Sequence, residues 1–270
     1  MIRLSAGFDL VYDCPQATPM LLLLRIHPSR ADDLVVPDAL RSEPAIPLGD
    51  YVDGYGNCCS RAVLPPGRTR LHSHAEVADS GLPDRVIPDA CQYQVQDLPD
   101  HTLVFLLGSR YCETDRLNEV AWSLFGGSPP GWARVQAICD YVHRNIAFGY
   151  GFARPTKTAS DVFLERNGVC RDFAHLAIAF CRCMNIPARY CTGYLGDIGV
   201  PPDDAPMDFS AWFEAYLGGG WHTFDARHNR PRIGRILIGR GRDAADVPLS
   251  NSFGPNTLVG FKVWSDLVEG

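Results

Sequence analysis

Up to about residue 107 the apolar positions come in short runs broken by turn residues. Phe8-Asp9-Leu10-Val11-Tyr12 partly alternates, and 20–26 is a short apolar run. Cys14-Pro15, Asp53-Gly54, Tyr55-Gly56-Asn57 and Pro65-Pro66-Gly67 punctuate the stretch. Leu103-Val104-Phe105-Leu106-Leu107 is one more such run, ending at Gly108. Strands at this spacing predict a small antiparallel sandwich or barrel. The period then changes. Leu117, Val120, Ala121, Leu124 and Phe125 recur at helical spacing, and Gly126-Gly127-Ser128-Pro129-Pro130-Gly131 stops them. Val135, Ile138, Cys139, Val142 and Ile146 form one face of a second helix over 132–146. Thr158 or Ser160 can cap a short helix through Leu164. Phe173, Ala174, Ala177, Phe180, Cys181 and Met184 predict a helix from 170 to about 185, closed by Pro187. Strands follow at 188–194, 209–217 and 221–225, the last two joined as a hairpin by Gly218-Gly219-Gly220. Residues 232–270 read as one or two closing strands and a tail. Helices followed by an antiparallel sheet make an α+β core rather than a βαβ fold. The expected division is a β-rich domain over 1–107 and an α+β core with C-terminal strands over 108–270.

Composition narrows the function. The chain has 270 residues, of which 46% are hydrophobic. That is too apolar for a disordered chain and leaves room for one or two domains. Lys and Arg number 25 against 31 Asp and Glu, a net charge of −6. An acidic balance argues against a nucleic-acid partner and against a polybasic membrane anchor. No apolar run approaches the ~18 residues of a membrane span. Met1-Ile2-Arg3-Leu4-Ser5 reads straight into a strand without the pattern of a signal peptide. A cytoplasmic location is therefore expected, with the ten cysteines as reduced thiols. No Cys-x-x-Cys occurs, and Cys181 and Cys183 point about 200° apart on their helix. Neither a metal nor a cofactor is expected. Strand edges of the first domain leave a homodimer open.

Cys170 carries the chemistry. It follows Asn167-Gly168-Val169 and opens a helix, where unpaired N–H groups and the positive end of the dipole favour a thiolate. Gly168-Val169-Cys170-Arg171-Asp172-Phe173-Ala174, then Asn185-Ile186-Pro187-Ala188-Arg189-Tyr190 and Thr192-Gly193-Tyr194, resemble the core of the transglutaminase-like superfamily. So do Ala211-Trp212-Phe213-Glu214-Ala215-Tyr216 and Trp221-His222-Thr223-Phe224-Asp225. The likeness covers about 130–230. The strand-rich first hundred residues resemble the β-domain that precedes this core in bacterial relatives described as cysteine proteases. The resemblance implies a papain-like transglutaminase core, with Cys170 as nucleophile and Asp225 as the carboxylate that orients an imidazole. It also implies acyl transfer through a thioester on a peptide or protein substrate, ended by water or an amine. The Cys170 backbone N–H is then an oxyanion donor. The calcium of some animal transglutaminases is not implied, because no acidic ligand loop is present.

One departure stands out. The family's catalytic His directly precedes Ala-Trp, and that position here is Ser210. A serine hydroxyl is nearly non-basic at neutral pH. Another histidine can supply the base, a solvent base can serve, or the chain is an inactive relative that binds a peptide or partner. His228, three residues beyond Asp225, is the chosen replacement because its turn can fold back to the site. His222 lies an odd number of residues from Asp225 and should face away. His175 is about 140° from Cys170 on the helix. His72 and His74 share a strand face, where they can reach in or bind a metal with a third ligand, though as an isolated pair they read more readily as a surface strand. His101 and His143 have no supporting context. Ser210, Trp212, Cys112 and Glu113 are expected to line the substrate groove. A run of arginines (227, 230, 232, 235, 240 and 242) reads more readily as a solvated face than as an anion site.

Overall fold

A computed structural model of the chain describes residues 1–202 and 205–268. The first half carries strands β1 (Ile2–Cys14), β2 (Thr18–Leu22), β3 (Leu34–Val36), β4 (Arg41–Glu43), β5 (Gly49–Val52), β6 (Cys58–Leu64) and β7 (Gly67–Asp79). Helices α1 (Asp100–Leu103), α2 (Thr114–Phe125) and α3 (Trp132–Asn145) follow. Next come β8 (Ala147–Phe148), α4 (Ala159–Glu165), β9 (Asn167–Gly168) and α5 (Cys170–Cys183). The chain closes with β10 (Ala188–Leu195), β11 (Ser210–Leu217), β12 (Gly220–Phe224), β13 (Arg235–Gly241), β14 (Ser250–Ser252) and β15 (Thr257–Leu267).

The strand-rich part is two antiparallel sheets, ordered β15-β1-β7-β3 with β4 also on β7, and β14-β2-β6-β5. Period-two alternation places their core. Leu4, Ala6, Phe8, Leu10 and Tyr12 of β1 are buried, as are Leu71, Ala75 and Val77 of β7. Met20 and Leu22 of β2 and Leu64 of β6 belong to the same apolar core. The closing strands expected after 232 divide between the two halves of the molecule. β13 joins the core sheet beside β10, whereas β14 pairs with β2 and β15 runs antiparallel to β1 over ten residue pairs. The first domain is thus completed by the end of the chain.

The expected strand at 103–107 is instead two helical turns, α1 and a 3-10 turn over Val104–Leu106. A short apolar run cannot by itself separate a strand from a buried helical turn. Phe105 alone of the run is buried here, edge-on to Trp221 with ring centroids 5.3 Å apart.

In the core, α5 is buried nearly all round, as a helix with apolar residues on every side must be. Phe180 packs against the rings of Phe125, Tyr141 and Phe163, from α2, α3 and α4. The opposite side of α5 meets β10 and β11 of the antiparallel sheet β12-β11-β10-β13. Thr158 caps α4, with reciprocal bonds to Asp161. Two close approaches position the site. β8 and β9 form a two-residue parallel pair immediately before Cys170. Gly196, just past β10, lies where a Cβ would run into the Ser265 carbonyl, so the end of β15 packs directly on the core.

Candidate active site

Cys170 is the first residue of α5. Asp172, fully buried, ties down this helix start. Its Oδ2 accepts the Val169 N–H at 3.0 Å, and its Oδ1 accepts the Arg171 guanidinium at 2.9 Å. Asp172→Ala removes both acceptors. It is expected to lower unfolding stability by about 2 kcal/mol, the scale of a lost cap plus an unsatisfied buried donor. A lower melting temperature checks this; an unchanged one means that Asp172 does not anchor the turn before Cys170.

The Cys170 side chain is partly exposed and lines a cavity of about 470 Å³. Tyr150, Asp208, Ser210, Arg227 and His228 line the same cavity. Its far wall is the loop after β10 together with the end of β15. Burial pushes the Cys170 thiol up to about 11; Arg227 draws it down, Asp208 raises it, and the N–H groups of Ala211 and Arg171 favour the thiolate. Burial outweighs the helix terminus, so the resting group is a neutral thiol. Its hydrogen bond goes to the Phe209 carbonyl, 4.0 Å away.

Asp225 directly follows β12 and builds the turn beyond it. Its Oδ1 accepts the N–H groups of Arg227 and His228, each at 3.0 Å. Asn229, with φ of 50°, closes the turn through its N–H to the Asp225 carbonyl. The turn folds His228 back, so that its Nδ1 lies 2.8 Å from Asp225 Oδ2. The same oxygen accepts Arg235 at 2.9 Å. Burial opposes the charge on Asp225. Arg235, and then the bonds from His228, outweigh it and hold the carboxyl well below the usual carboxylate range. An ionised carboxylate only accepts, so Nδ1 carries the proton and a neutral His228 keeps its lone pair on Nε2.

β11 and β12 pair Phe213 with Phe224 and Leu217 with Gly220, and the ladder ends there, one residue before Asp225 and the turn that carries His228. Ser210 itself lines the cavity, and its carbonyl accepts the Thr192 hydroxyl at 3.1 Å.

The other expected groove residues lie elsewhere. Cys112 is fully buried, bonds the His175 carbonyl, and is pushed up to about 12 by burial. Glu113 accepts the Ser160 N–H at 3.1 Å and pairs with Arg116, a structural tie to α4. Trp212 is buried beneath the Arg235 guanidinium, 5.0 Å from the ring centroid. All three sit outside the cavity. A polar cluster at a junction and a tryptophan on a core strand are bonded inward, which local sequence does not reveal.

The remaining histidines are placed by packing. His175 is fully buried and stacked on Tyr111, with ring centroids 5.1 Å apart and planes 7° apart. His222 bonds the Leu217 carbonyl at 3.0 Å, and His101 packs edge-on to Tyr216. His72 lies 3.5 Å from Glu43, and His74 bonds Ser5 and stacks on Trp264. Both belong to a surface depression apart from Cys170. Among the described residues no group of three or more His, Cys, Asp or Glu could hold a metal ion.

The arginine run is not a solvated face. Arg232 is buried and donates to the Gly196 carbonyl at 2.8 Å and to Asp197 at 3.3 Å. Arg235 joins Asp84 to Asp225. Arg242 is paired with Asp246. Neither Arg235 nor Asp84 was singled out from the sequence for this site; the visible signal was the arginine run itself.

A family model described as the transglutaminase-like superfamily matches residues 119–226, which include Cys170 and Asp225 and stop two residues short of His228. The crystal structure of a candidate cysteine protease from Cytophaga hutchinsonii is similar over 100% of this chain and 91% of its own, with 30% identity and a TM-score of 0.84. A Mycobacterium tuberculosis protein of unassigned function is 31% identical over 144 residues, 50% of this chain and 46% of that protein. One from Mycobacterium leprae is 37% identical over 119 residues, 42% of this chain and 41% of that protein. The chain spans less than half the length of these curated relatives. Among the described residues no helix is long and apolar enough to cross a membrane.

Proposed function

This chain belongs to the transglutaminase-like superfamily, and from that premise we propose that it is a cysteine-dependent amide hydrolase or acyltransferase acting on peptide substrates. The observation that carries the reading is the cavity that holds both Cys170 and a histidine oriented by Asp225. Cys170 is the nucleophile, His228 the general base, and Asp225 the carboxylate that fixes the imidazole.

The step begins from a neutral thiol. As Sγ bonds the amide carbonyl carbon, His228 Nε2 takes the thiol proton. The carbonyl oxygen becomes an oxyanion beside the N–H groups that open α5. The C–N bond then breaks, and the leaving amine takes the proton from His228. A thioester on Cys170 remains. Water gives hydrolysis and an amine gives transamidation: each is deprotonated by His228 as it attacks the thioester carbon, the C–S bond then breaks, and Cys170 Sγ takes the proton back from His228. All ten cysteines are unpaired, which suits a reducing compartment, and the cytoplasm is the location in this reading.

A second reading has one feature in its favour: Ser210 at the family's histidine position, which suits a fold kept for binding a peptide or partner without turnover. One experiment separates the two. Incubation with 4-nitrophenyl acetate, followed by acid quench and mass spectrometry, should find an acetyl group on Cys170 and none after Cys170→Ser. An absence of acetylation at Cys170 in the parent protein favours the binding reading.

A further inference from the structure

Four arginines follow Asp225 within ten residues; Arg230 is exposed, and two others are already committed. Arg232 serves Gly196 and Asp197, and Arg235 serves Asp84 and Asp225. Arg227 is different. It lines the cavity beside Cys170, and among the described residues no carboxylate oxygen lies within 4 Å of its guanidinium. Its guanidinium lies over the Phe148 ring, 3.8 Å from the centroid. Its backbone is pinned at both ends: the N–H donates to Asp225, and the carbonyl accepts His143 Nδ1 at 2.8 Å. A stacked guanidinium loses little further freedom on binding, and its fork matches a carboxylate.

We propose that Arg227 is a specificity-determining residue that holds a carboxylate of the substrate next to the scissile amide, so that the preferred acyl donors are acidic peptides. This deepens the thiol-enzyme reading and rests on it. Among the described residues, the cavity's other carboxylates are Asp197, which pairs with Arg232, Asp266, exposed on β15, and Asp208. Asp208 opposes an anion near Cys170. One of its oxygens accepts the Phe209 N–H at 2.6 Å, and its effect on the thiol is smaller than that of Arg227. Of these two charges, Arg227 is the one that acts more strongly on Cys170.

Iodoacetate and iodoacetamide test this without a known substrate. They are near-isosteric and differ in charge, and the ratio of their rates at Cys170 cancels the thiolate fraction. Reduced glutathione supplies the reference ratio. The parent ratio is expected to exceed the reference by about tenfold, as one charge-assisted pair in a partly buried site allows. Arg227→Gln should bring it to the reference, and Arg227→Lys should retain part of the preference. A parent ratio equal to the reference overturns the inference, as does a high ratio unchanged in Arg227→Gln. Acetylation of Cys170 by neutral 4-nitrophenyl acetate is run on all three proteins. It reads the thiol chemistry separately, so that Cys170 acetylated with no anion preference sinks the carboxylate site alone. Failure of acetylation sinks the thiol reading and the substrate class with it.

Discussion

His228→Ala is expected to slow acetylation of Cys170 by 4-nitrophenyl acetate by about 10²- to 10⁴-fold, the range spanned by a positioned general base. The upper end has an independent rationale. A thiol held at about 11 is ionised in only about one molecule in 10⁴ at pH 7, so a protein without its base relies on that small fraction. Added imidazole should restore part of the rate, because the variant leaves space where the ring stood in the cavity. His222→Ala is the control. That ring bonds the Leu217 carbonyl outside the cavity, and its loss should leave the rate unchanged. A His228→Ala protein as fast as the parent would remove His228 from the mechanism. The base would then be solvent, with Cys170 and the start of α5 acting alone.

The path to His228 shows what a sequence can carry. Helices with a clear 3.6-residue stripe, α2, α3 and α5, stand where their apolar positions place them. Cys170 stood out from local spacing, a glycine break before a helix, whereas Asp225 came from the resemblance of the Trp221–Asp225 stretch to the family core. His228 too was readable from local spacing, since a histidine three residues after an aspartate is the spacing of a turn that hydrogen-bonds back on itself. What local spacing could not convey was burial and long-range pairing. Cys112 and Glu113 look like a polar cluster at a cleft, yet the first lies under α5 and the second braces α4. The arginines of 227–242 look alike on paper. Their partners Asp84, Asp197 and Asp225 come from separate elements, and only the tertiary fold separates these ion-paired arginines from Arg227, whose guanidinium lies over Phe148. β14 and β15 were unreadable as parts of the first domain because their partners lie more than two hundred residues away in sequence.

Arg235→Met should be the most destabilising single change near the site, by about 3–5 kcal/mol in urea unfolding, the usual cost of removing one partner of a buried ion pair. Methionine approximates the length of the aliphatic stem but leaves Asp225 charged, buried, and held only by His228 and two backbone N–H groups. The pH dependence has a definite sign. The folded protein holds Asp225 well below its unfolded value of about 3.9. Its contribution to stability is therefore fully present above that value, and is lost as pH falls toward the folded one. Without Arg235, burial dominates, the folded carboxyl rises, and the contribution shrinks. The acid-unfolding midpoint, followed by tryptophan fluorescence, should then move to higher pH. Asp225→Asn combined with Arg235→Met removes the stranded charge as well as its partner, and should recover part of the lost stability. If the double variant is no more stable than Arg235→Met, the loss comes from the Trp212 stacking and the Asp84 contact, and the Asp225–Arg235 pair does not hold the Asp225–Asn229 turn in place.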